Sequence, residues 1–307
     1  MDMRLPLKVV ESLPSLDRLQ RPLRELRMSV IDRCNFRCTY CMPADSLNGQ
    51  GVFLPLEKLL TDHEIEDLVT AFAGLGVHKL RLTGGEPLLR PGLPALLEQL
   101  ASIPGLEDIA LTTNGVMLPR LADDLAAAGL SRITVSLDTL DQDVLDRMSG
   151  GKARLEEILA GITAAEAAGF ERIKINTVVQ RGVNDHTIMD LLDHFRGTPH
   201  RVRLIEFMDV GNSNHWNESD VVPNREWVQR IEDQWPLRRV ESSNPAETAR
   251  RYEYRDRQGE IGFISSITQP FCGGCTRARV TADGIFYTCL FANRGTNLMP
   301  LVRHGQD

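Results

Sequence analysis

The chain has 307 residues, enough for one large α/β domain and a smaller one. Hydrophobic residues make up 42% and charged residues 25%, as in an ordinary globular protein. No apolar run has the length of a membrane span or the pattern of a signal peptide. The net charge of −7 argues against a general nucleic-acid binder. We therefore expect neither a nucleic-acid nor a membrane partner.

The chain opens with an irregular, proline-containing arm over residues 1 to 25, and the run Leu26–Ile31 then predicts a strand. Directly after it, Cys34, Cys38 and Cys41 stand at C-x3-C-x2-C spacing. Thiolates are soft ligands that suit iron, and three in one short loop can hold three corners of a cubane iron–sulfur cluster. The fourth iron would then have no protein ligand and would be open for chemistry.

Strands and helices alternate beyond this loop. The strands are predicted at His78–Thr83, Asp108–Thr113, Arg132–Leu137, Arg172–Val179 and Arg201–Met208. Helices are predicted after Thr61, which forms a capping box with Glu64, and near Leu93–Leu100, Leu118–Ala128, Asp141–Met148, Leu155–Ala168 and His186–Phe195. Six strand–helix units predict a parallel sheet with helices outside, in the α/β class. Because a closed barrel has eight units, we expect a partial, open TIM-like (β/α)6 barrel; an open doubly wound sheet is the alternative.

The pattern changes after residue 208. Residues 211 to 217 form a loop by composition, and a helix is predicted over Asn224–Gln234. Short strands follow at Tyr252–Arg255, Gly262–Ile264, Arg277–Val280 and Ile285–Tyr287. We therefore divide the chain into the arm 1–25, a partial barrel over 26–223 and a small C-terminal α+β iron–sulfur domain over 224–307.

A second set of three cysteines, Cys272, Cys275 and Cys289, lies among these short strands. Structural zinc sites take four ligands, and neither a histidine nor a fourth cysteine lies near the first triplet. Taken alone, the second triplet could hold either zinc or an iron–sulfur cluster. Because the first triplet favours a cluster, a second cluster is favoured here as well. Because cluster-binding cysteines must stay reduced, we expect the cytoplasm as compartment.

Several strands carry polar residues on one face, since strand side chains alternate between the two faces. These residues are Lys79, Arg81 and Thr83; Lys174 and Asn176; Arg201 and Arg203; and Arg277 and Arg279. If those faces line the barrel, the buried cations need an anionic partner, and guanidinium and ammonium groups suit a polyphosphate. The alternative is that these residues lie at exposed strand ends or pair with acidic residues.

The sequence Thr83-Gly84-Gly85-Glu86-Pro87 follows the second strand. Two glycines allow the backbone to approach a ligand closely, and Glu86 can accept hydrogen bonds from an ammonium group. Alone this is a weak turn signal. Its place at the end of the strand next to the first cysteine loop makes it a stronger indication of a site.

Together, Cys34-x3-Cys38-x-Tyr40-Cys41 and Gly84-Gly85-Glu86-Pro87 resemble the motifs of radical S-adenosylmethionine enzymes. With Cys272-x2-Cys275-Thr276-Arg277-Ala278-Arg279 and Cys289 added, the chain closely resembles the GTP 3′,8-cyclases of molybdenum cofactor biosynthesis, over about residues 20 to 300. The resemblance implies two [4Fe–4S] clusters and S-adenosylmethionine as cofactors.

The same resemblance implies the reaction. The open iron of the first cluster chelates S-adenosylmethionine, and one electron releases a 5′-deoxyadenosyl radical that removes hydrogen from C3′ of GTP. The C3′ radical attacks C8, giving (8S)-3′,8-cyclo-7,8-dihydroguanosine 5′-triphosphate, while the second open iron binds the guanine. One alternative is a radical S-adenosylmethionine enzyme with an auxiliary cluster that acts on a peptide. Another is a non-catalytic electron-transfer or zinc protein.

Site residues and partners follow from the resemblance as expectations. Contacts with S-adenosylmethionine are expected at Tyr40, Gly84, Gly85, Glu86, Ser136 and Met208. Contacts with GTP are expected at Arg27, Arg81, Thr112, Lys174, Arg277 and Arg279, with Lys79, Asn176 and Arg203 added because of the cationic faces. The expected catalytic residues are the first three cysteines with Arg27, Arg277 and Arg279. The expected partners are GTP, a reductant or electron-donor protein, the downstream cyclic pyranopterin monophosphate synthase and a second copy of the chain in a homodimer.

Members of this family resemble one another in a longer C-terminal segment that ends in Gly-Gly. The printed sequence stops at Arg303-His304-Gly305-Gln306-Asp307. For the 307-residue chain we therefore expect cluster assembly and cleavage of S-adenosylmethionine to survive while cyclisation is impaired.

Overall fold

Parallel strands alternating with helices form the framework of the molecule. The computed structural model describes residues 16–42, 53–210, 216–242, 244 and 246–303. Most of the predicted arm, part of the loop predicted over 211–217 and the chain end at 304–307 lie outside the described residues. No described helix is long and apolar enough to cross a membrane.

The first six strands and their helices occupy the positions that the sequence predicts, with ends that differ by at most two residues. The strands are β1 (Glu25–Ser29), β2 (Lys79–Thr83), β3 (Asp108–Thr113), β4 (Arg132–Ser136), β5 (Lys174–Val179) and β6 (Arg201–Glu206). The helices are α1 (Asp62–Gly74), α2 (Leu93–Ala101), α3 (Leu118–Ala127), α4 (Gln142–Ser149), α5 (Leu155–Ala167) and α6 (Ile188–Phe195). The predicted capping box at the start of α1 is present, because Thr61 and Glu64 exchange side-chain to backbone hydrogen bonds.

The remaining chain adds α7 (Asn224–Gln234), β7 (Leu237–Val240), β8 (Arg250–Tyr254), β9 (Glu260–Ile264), β10 (Arg277–Val280), β11 (Ile285–Tyr287), β12 (Thr296–Asn297) and α8 (Met299–Arg303). The sequence analysis did not identify β7, β12 or α8. Each is short, and in β7 only Leu237 is buried, so these elements carry little periodic signal.

The twelve strands in the described part of the chain join one sheet in the order β12-β11-β10-β1-β2-β3-β4-β5-β6-β9-β8-β7. The eight strands from β10 through β1–β6 to β9 pair in parallel, and the flanking strands pair antiparallel. Among the described residues the sheet does not close, which confirms the open partial barrel. The C-terminal strands extend both edges of the six-stranded part; the boundary between 223 and 224 stays a prediction.

The two faces of the sheet differ in polarity. In β1, β2, β5 and β6 half-buried and buried residues alternate. The buried positions, such as Leu26, Leu80, Ile175 and Leu204, pack with the helices in one apolar core. The alternate positions in these strands hold the charged and polar residues, and they form the wall of the site.

Candidate active site

A cavity of about 600 Å³ lies against the polar face of the sheet. All nine residues that the sequence predicts to contact GTP line it: Arg27, Lys79, Arg81, Thr112, Lys174, Asn176, Arg203, Arg277 and Arg279. Met208 and the second cysteine triplet line it as well. The described residues that line this cavity do not include the first triplet, Tyr40, Ser136 or the Gly84–Glu86 turn.

Strand register explains why the cations converge. Arg27 of β1 is paired with Arg81 of β2 on one side and with Arg279 of β10 on the other. On β5 and β6, Lys174 is paired with Arg201 and Asn176 with Arg203. Because paired residues of neighbouring strands point to the same face, an i, i+2 pattern in separate strands produces one continuous cationic wall.

Burial is the largest cause of the pKa shifts of the arginines in this wall. Desolvation, followed by repulsion from neighbouring guanidinium groups, lowers the pKa of Arg81 and of Arg279 to about 10 and that of Arg203 to about 9. All three therefore stay protonated at neutral pH. Keeping these charges close together without an anion is unfavourable, so the wall is suited to a polyanionic ligand.

Lys174 responds most strongly to its surroundings. Desolvation, then the charges of Arg132, Arg203, Arg81 and Arg201, lowers its pKa to about 7. Its ammonium group is therefore only partly protonated near neutral pH, and an anion beside it would favour the charged form.

Neutral side chains orient two of the guanidinium groups. Arg81 donates from Nη1 to Thr112 Oγ1 at 3.2 Å and to Thr134 Oγ1 at 3.3 Å. Arg203 donates from Nε to Asn176 Oδ1 at 2.9 Å. The Nε atom of Arg81 is buried and has no hydrogen-bond partner among the described residues, although Glu25 lies 3.7 Å away. A hydrogen-bond donor of the wall is thus left for a ligand.

Three charged wall residues were absent from the predicted site. Glu25, Arg132 and Arg201 also line the cavity. Arg201 shares the i, i+2 pattern with Arg203, and Arg132 shares it with Thr134 and Ser136, so that pattern could have identified both arginines.

Some of the wall cations do pair with acidic residues, as the alternative interpretation held. Arg132 is paired with Asp108, Arg201 with Glu260 at 2.5 Å, and Arg27 with Glu25 at 3.2 Å. The wall therefore combines cations that carboxylates neutralise with others, such as Lys174, whose side chain has no hydrogen bond or ion pair to a described residue.

The first cysteine triplet lies in a loop after β1. The loop is fixed by backbone hydrogen bonds from Arg37 to Ser149 at 3.0 Å and from Thr39 to Met148 at 2.9 Å. Burial is the largest cause that raises the pKa of each of its three thiols, and mutual repulsion adds to it for Cys38 and Cys41. Iron would displace these protons and satisfy the thiolates, so the donor set fits a [4Fe–4S] cluster.

The Gly84-Gly85 turn packs against the segment that leads into this loop. Gly85 N–H donates to the Ile31 carbonyl at 2.8 Å, and Glu86 N–H to the Arg33 carbonyl at 2.7 Å. A Cβ atom on Gly85 would lie 2.2 Å from the Arg33 carbonyl oxygen. In the structure, the close approach that requires glycine is thus to the protein backbone, whereas the sequence argument assigned it to a ligand.

Glu86 is 2% exposed. Its carboxylate accepts from Thr113 Oγ1 at 2.7 Å, from Asn114 N–H at 2.7 Å and from Leu88 N–H at 3.0 Å. These bonds use three of the roughly four lone-pair directions of a carboxylate. The structure therefore gives Glu86 a role in joining the turn to β3, and its contact with an ammonium group stays a prediction.

Tyr40 connects the cysteine loop to the segment that follows β4. Its hydroxyl donates to Asp138 Oδ2 at 2.7 Å, and Asp138 Oδ1 accepts from Val178 N–H at 2.8 Å. Asn184, fully buried, donates to the Asp138 carbonyl at 2.8 Å. Burial raises the pKa of Asp138 to about 6. The sequence analysis identified Tyr40 and missed Asp138 and Asn184.

The second triplet lies at the cavity. Arg277 donates from Nη2 to Cys275 Sγ at 3.1 Å, and its guanidinium lies 4.9 Å from the centre of the Phe271 ring. Three thiols with an adjacent cation, lining the same cavity as the cationic wall, fit a second cluster whose fourth iron is left for a ligand.

The comparisons with known proteins agree with this architecture. Residues 28–195 match the Radical SAM superfamily, and residues 200–307 match the family described as Molybdenum Cofactor Synthesis C. Structurally, the chain is similar to Streptococcus suis SuiB bound to S-adenosylmethionine, with a TM-score of 0.66 at 16% identity, over 93% of this chain and 66% of that one. A likeness at this identity concerns the fold alone. The class is thus that of radical S-adenosylmethionine proteins.

Sequence relatives narrow the class. The chain is 52% identical over 294 residues to a GTP 3′,8-cyclase of Xanthomonas campestris, covering 96% of this chain and 86% of the relative. It is 51% identical to that of Acidothermus cellulolyticus, over 96% and 81% of the two chains, and 45% identical to that of Staphylococcus epidermidis, over 94% and 85%. The chain belongs to the GTP 3′,8-cyclase family. Membership confirms the predicted cofactors, two [4Fe–4S] clusters and S-adenosylmethionine.

Proposed function

We propose that this chain converts GTP into (8S)-3′,8-cyclo-7,8-dihydroguanosine 5′-triphosphate in molybdenum cofactor biosynthesis. The observation that carries the proposal is the cavity: every residue predicted to contact GTP lines it, and so does the second cysteine triplet. A peptide substrate would not need so many buried cations, whereas a triphosphate would neutralise them.

The cofactors are assigned to the two triplets. Cys34, Cys38 and Cys41 would hold the first cluster, and Cys272, Cys275 and Cys289 the second. When bound, the first cluster and S-adenosylmethionine supply one-electron radical chemistry at the substrate ribose. We assign contacts with S-adenosylmethionine to Tyr40, Gly84, Gly85, Glu86, Ser136 and Met208, with Glu86 acting chiefly through the turn that it fixes.

The wall residues bind and orient the substrate. We assign the triphosphate to Lys79, Arg81, Lys174 and Arg203, with Thr112 and Asn176 holding the guanidinium groups in place. As the triphosphate binds, Lys174 Nζ takes up a proton, because an adjacent anion raises a pKa that stands at about 7.

The catalytic arginines belong to the strands nearest the second triplet. Arg27 of β1 and Arg279 of β10 are paired in register, and Arg277 contacts Cys275. We propose that these three guanidinium groups hold the nucleoside part of GTP between the two clusters and limit access of water to it.

Further partners are also proposed. The chemistry requires a one-electron donor, and its product requires a synthase that forms cyclic pyranopterin monophosphate. A homodimer and a cytoplasmic location rest on the family resemblance and on the need to keep six cysteines reduced.

The test is anaerobic reconstitution of the full chain with iron, sulfide, S-adenosylmethionine, GTP and a reductant. We expect 5′-deoxyadenosine and the cyclised nucleotide as products, with the formation of both depending on GTP. Arg279→Ala should lose the nucleotide product, whereas Arg238→Ala, at an exposed position on β7, should not. Deoxyadenosine formed independently of GTP, with no nucleotide product, would contradict the proposal.

A further inference from the structure

A tight turn near the start of the described chain reaches the second cysteine triplet. Asp17 Oδ1 accepts from the N–H groups of Leu19 at 2.8 Å and Arg21 at 2.9 Å. Asp17 Oδ2 pairs with the Arg21 guanidinium at 2.6 Å. From this fixed position Arg21 donates from Nη1 to the carbonyl oxygen of Cys272 at 2.6 Å. One guanidinium group therefore joins the turn to the cysteine loop.

The first cysteine loop contains a comparable contact. Arg37 donates from Nη1 to the carbonyl oxygen of Cys34 at 2.7 Å. In both loops an arginine thus holds the carbonyl of the first cysteine. Arg37 belongs to its own loop, whereas Arg21 comes from a segment 251 residues away from Cys272. A contact brought from so far along the chain is not a consequence of local loop geometry.

Arg21 also brings charge. Its guanidinium lies within electrostatic reach of Cys272 and Cys275, and it is a second cation there beside Arg277, which donates to Cys275 Sγ. One-electron reduction of a cluster adds one negative charge and breaks no bond. A nearby fixed cation stabilises that charge, so the reduction potential rises with the charge and hydrogen bonding around the sulfur atoms.

We propose that Arg21 is a positioning residue for the second cluster: held by Asp17, it fixes the Cys272 loop and raises the cluster's reduction potential. The inference rests on the proposed function in one respect, namely that Cys272, Cys275 and Cys289 hold a [4Fe–4S] cluster. Neither Arg21 nor Asp17 lines the cavity, so both can be changed without altering the substrate wall.

Three substitutions distinguish the effect of the positive charge of Arg21 from the effect of its hydrogen bond to the Cys272 loop. Arg21→Gln removes the cation. Arg21→Lys keeps it. Asp17→Asn keeps the guanidinium and the Oδ1 acceptor of the turn but removes the compensating negative charge. If charge sets the potential, Arg21→Gln lowers it and Asp17→Asn raises it. A purely structural role would move both variants in the same direction.

The measurement is a redox titration of the reconstituted full chain with dithionite, followed by electron paramagnetic resonance, with iron content determined for each variant. Addition of S-adenosylmethionine perturbs the first cluster and so distinguishes its signal. For Arg21→Gln we expect the one-electron equilibrium of the second cluster to shift at least threefold toward the oxidised form. At 59 mV per tenfold change this is about 30 mV. Asp17→Asn should shift it the other way, and Arg21→Lys should stay close to the wild type.

The outcomes are separable. Equal shifts in Arg21→Gln and Asp17→Asn, or no shift in either at full iron content, overturn the inference and leave the proposed function intact. If Arg21→Gln loses the second cluster, the test rests on Asp17→Asn and Arg21→Lys, because both retain the cation. A potential that does not rise in Asp17→Asn would then overturn the inference. A wild-type chain with about four irons instead of about eight contradicts the two-cluster function itself.

Discussion

Lys174 of β5 is paired in register with Arg201 of β6, so an ammonium and a guanidinium group lie side by side on the same face of the sheet. Together with desolvation, this crowding of cations lowers the pKa of Lys174 to about 7. We predict that GTP binding above pH 7 is accompanied by uptake of nearly one proton. Affinity should then fall as pH rises beyond about 7, by up to about tenfold per pH unit.

Calorimetric titration in two buffers with different ionisation enthalpies measures this uptake directly. Lys174→Arg is the matched variant, because arginine stays charged throughout the range and should bind GTP without taking up a proton.

The lowered pKa of Lys174 also affects the stability of the fold. The unfolded chain binds the proton more tightly than the folded one, so the lysine's contribution to the free energy of unfolding increases as pH rises from about 7 toward 10.5. In the calorimetric titration, a proton uptake on GTP binding that is identical in the wild type and in Lys174→Arg would contradict the assignment of Lys174 to the triphosphate.

A second prediction concerns the amide that orients Arg203. In Asn176→Leu, Arg203 Nε loses its acceptor at 2.9 Å, and the guanidinium loses its fixed direction. We expect GTP binding to weaken by about 1 kcal/mol, roughly fivefold. The control is Gln229→Leu, which removes an amide bonded to Asp233 on the exposed face of α7. Equal GTP affinity in the two variants would argue against Arg203 as a phosphate ligand.

The cationic wall could be predicted because each strand repeats a local pattern. Lys79 with Arg81, and Arg277 with Arg279, interrupt otherwise apolar strands at alternate positions, and that signal needs no knowledge of strand pairing. What could not be predicted is which strands meet. The pairing of β10 with β1 and of β9 with β6 joins segments more than fifty residues apart, and no local pattern encodes it. The same holds for the contact between Arg21 and Cys272.

The Gly-Gly turn gives a prediction with a clear steric reason. A Cβ atom on Gly85 would lie 2.2 Å from the Arg33 carbonyl oxygen, so either the turn or the entry to the first cysteine loop must move. We expect Gly85→Ala to reduce bound iron from about eight to about four per chain, because only the first cluster depends on that loop. Gly74→Ala is the control, since its Cβ would meet nothing within 4 Å. It should retain both clusters.

Glu206, fully buried at the end of β6, joins the barrel to the C-terminal segment, and the sequence analysis did not identify this role. Its Oε1 accepts from Asn224 N–H at 3.0 Å and from Thr268 Oγ1 at 2.5 Å. Its Oε2 accepts from the N–H groups of Ile267 at 3.0 Å and Thr268 at 2.9 Å. All four contacts require an acceptor, so the hydrogen-bonding capacity of this carboxylate is filled by groups of the protein itself.

Glu206→Gln should therefore be costly although the side chain keeps its size. One oxygen becomes an NH2 group that faces donors, and at least one buried N–H is left without a partner. We expect the free energy of unfolding to fall by about 2 kcal/mol, measured by denaturant titration of the cluster-free chain. Glu232→Gln, on the exposed face of α7, is the matched control and should change it by less than about 0.5 kcal/mol. Equal stability of the two variants would mean that the C-terminal segment is held to the barrel mainly by strand pairing between β6 and β9.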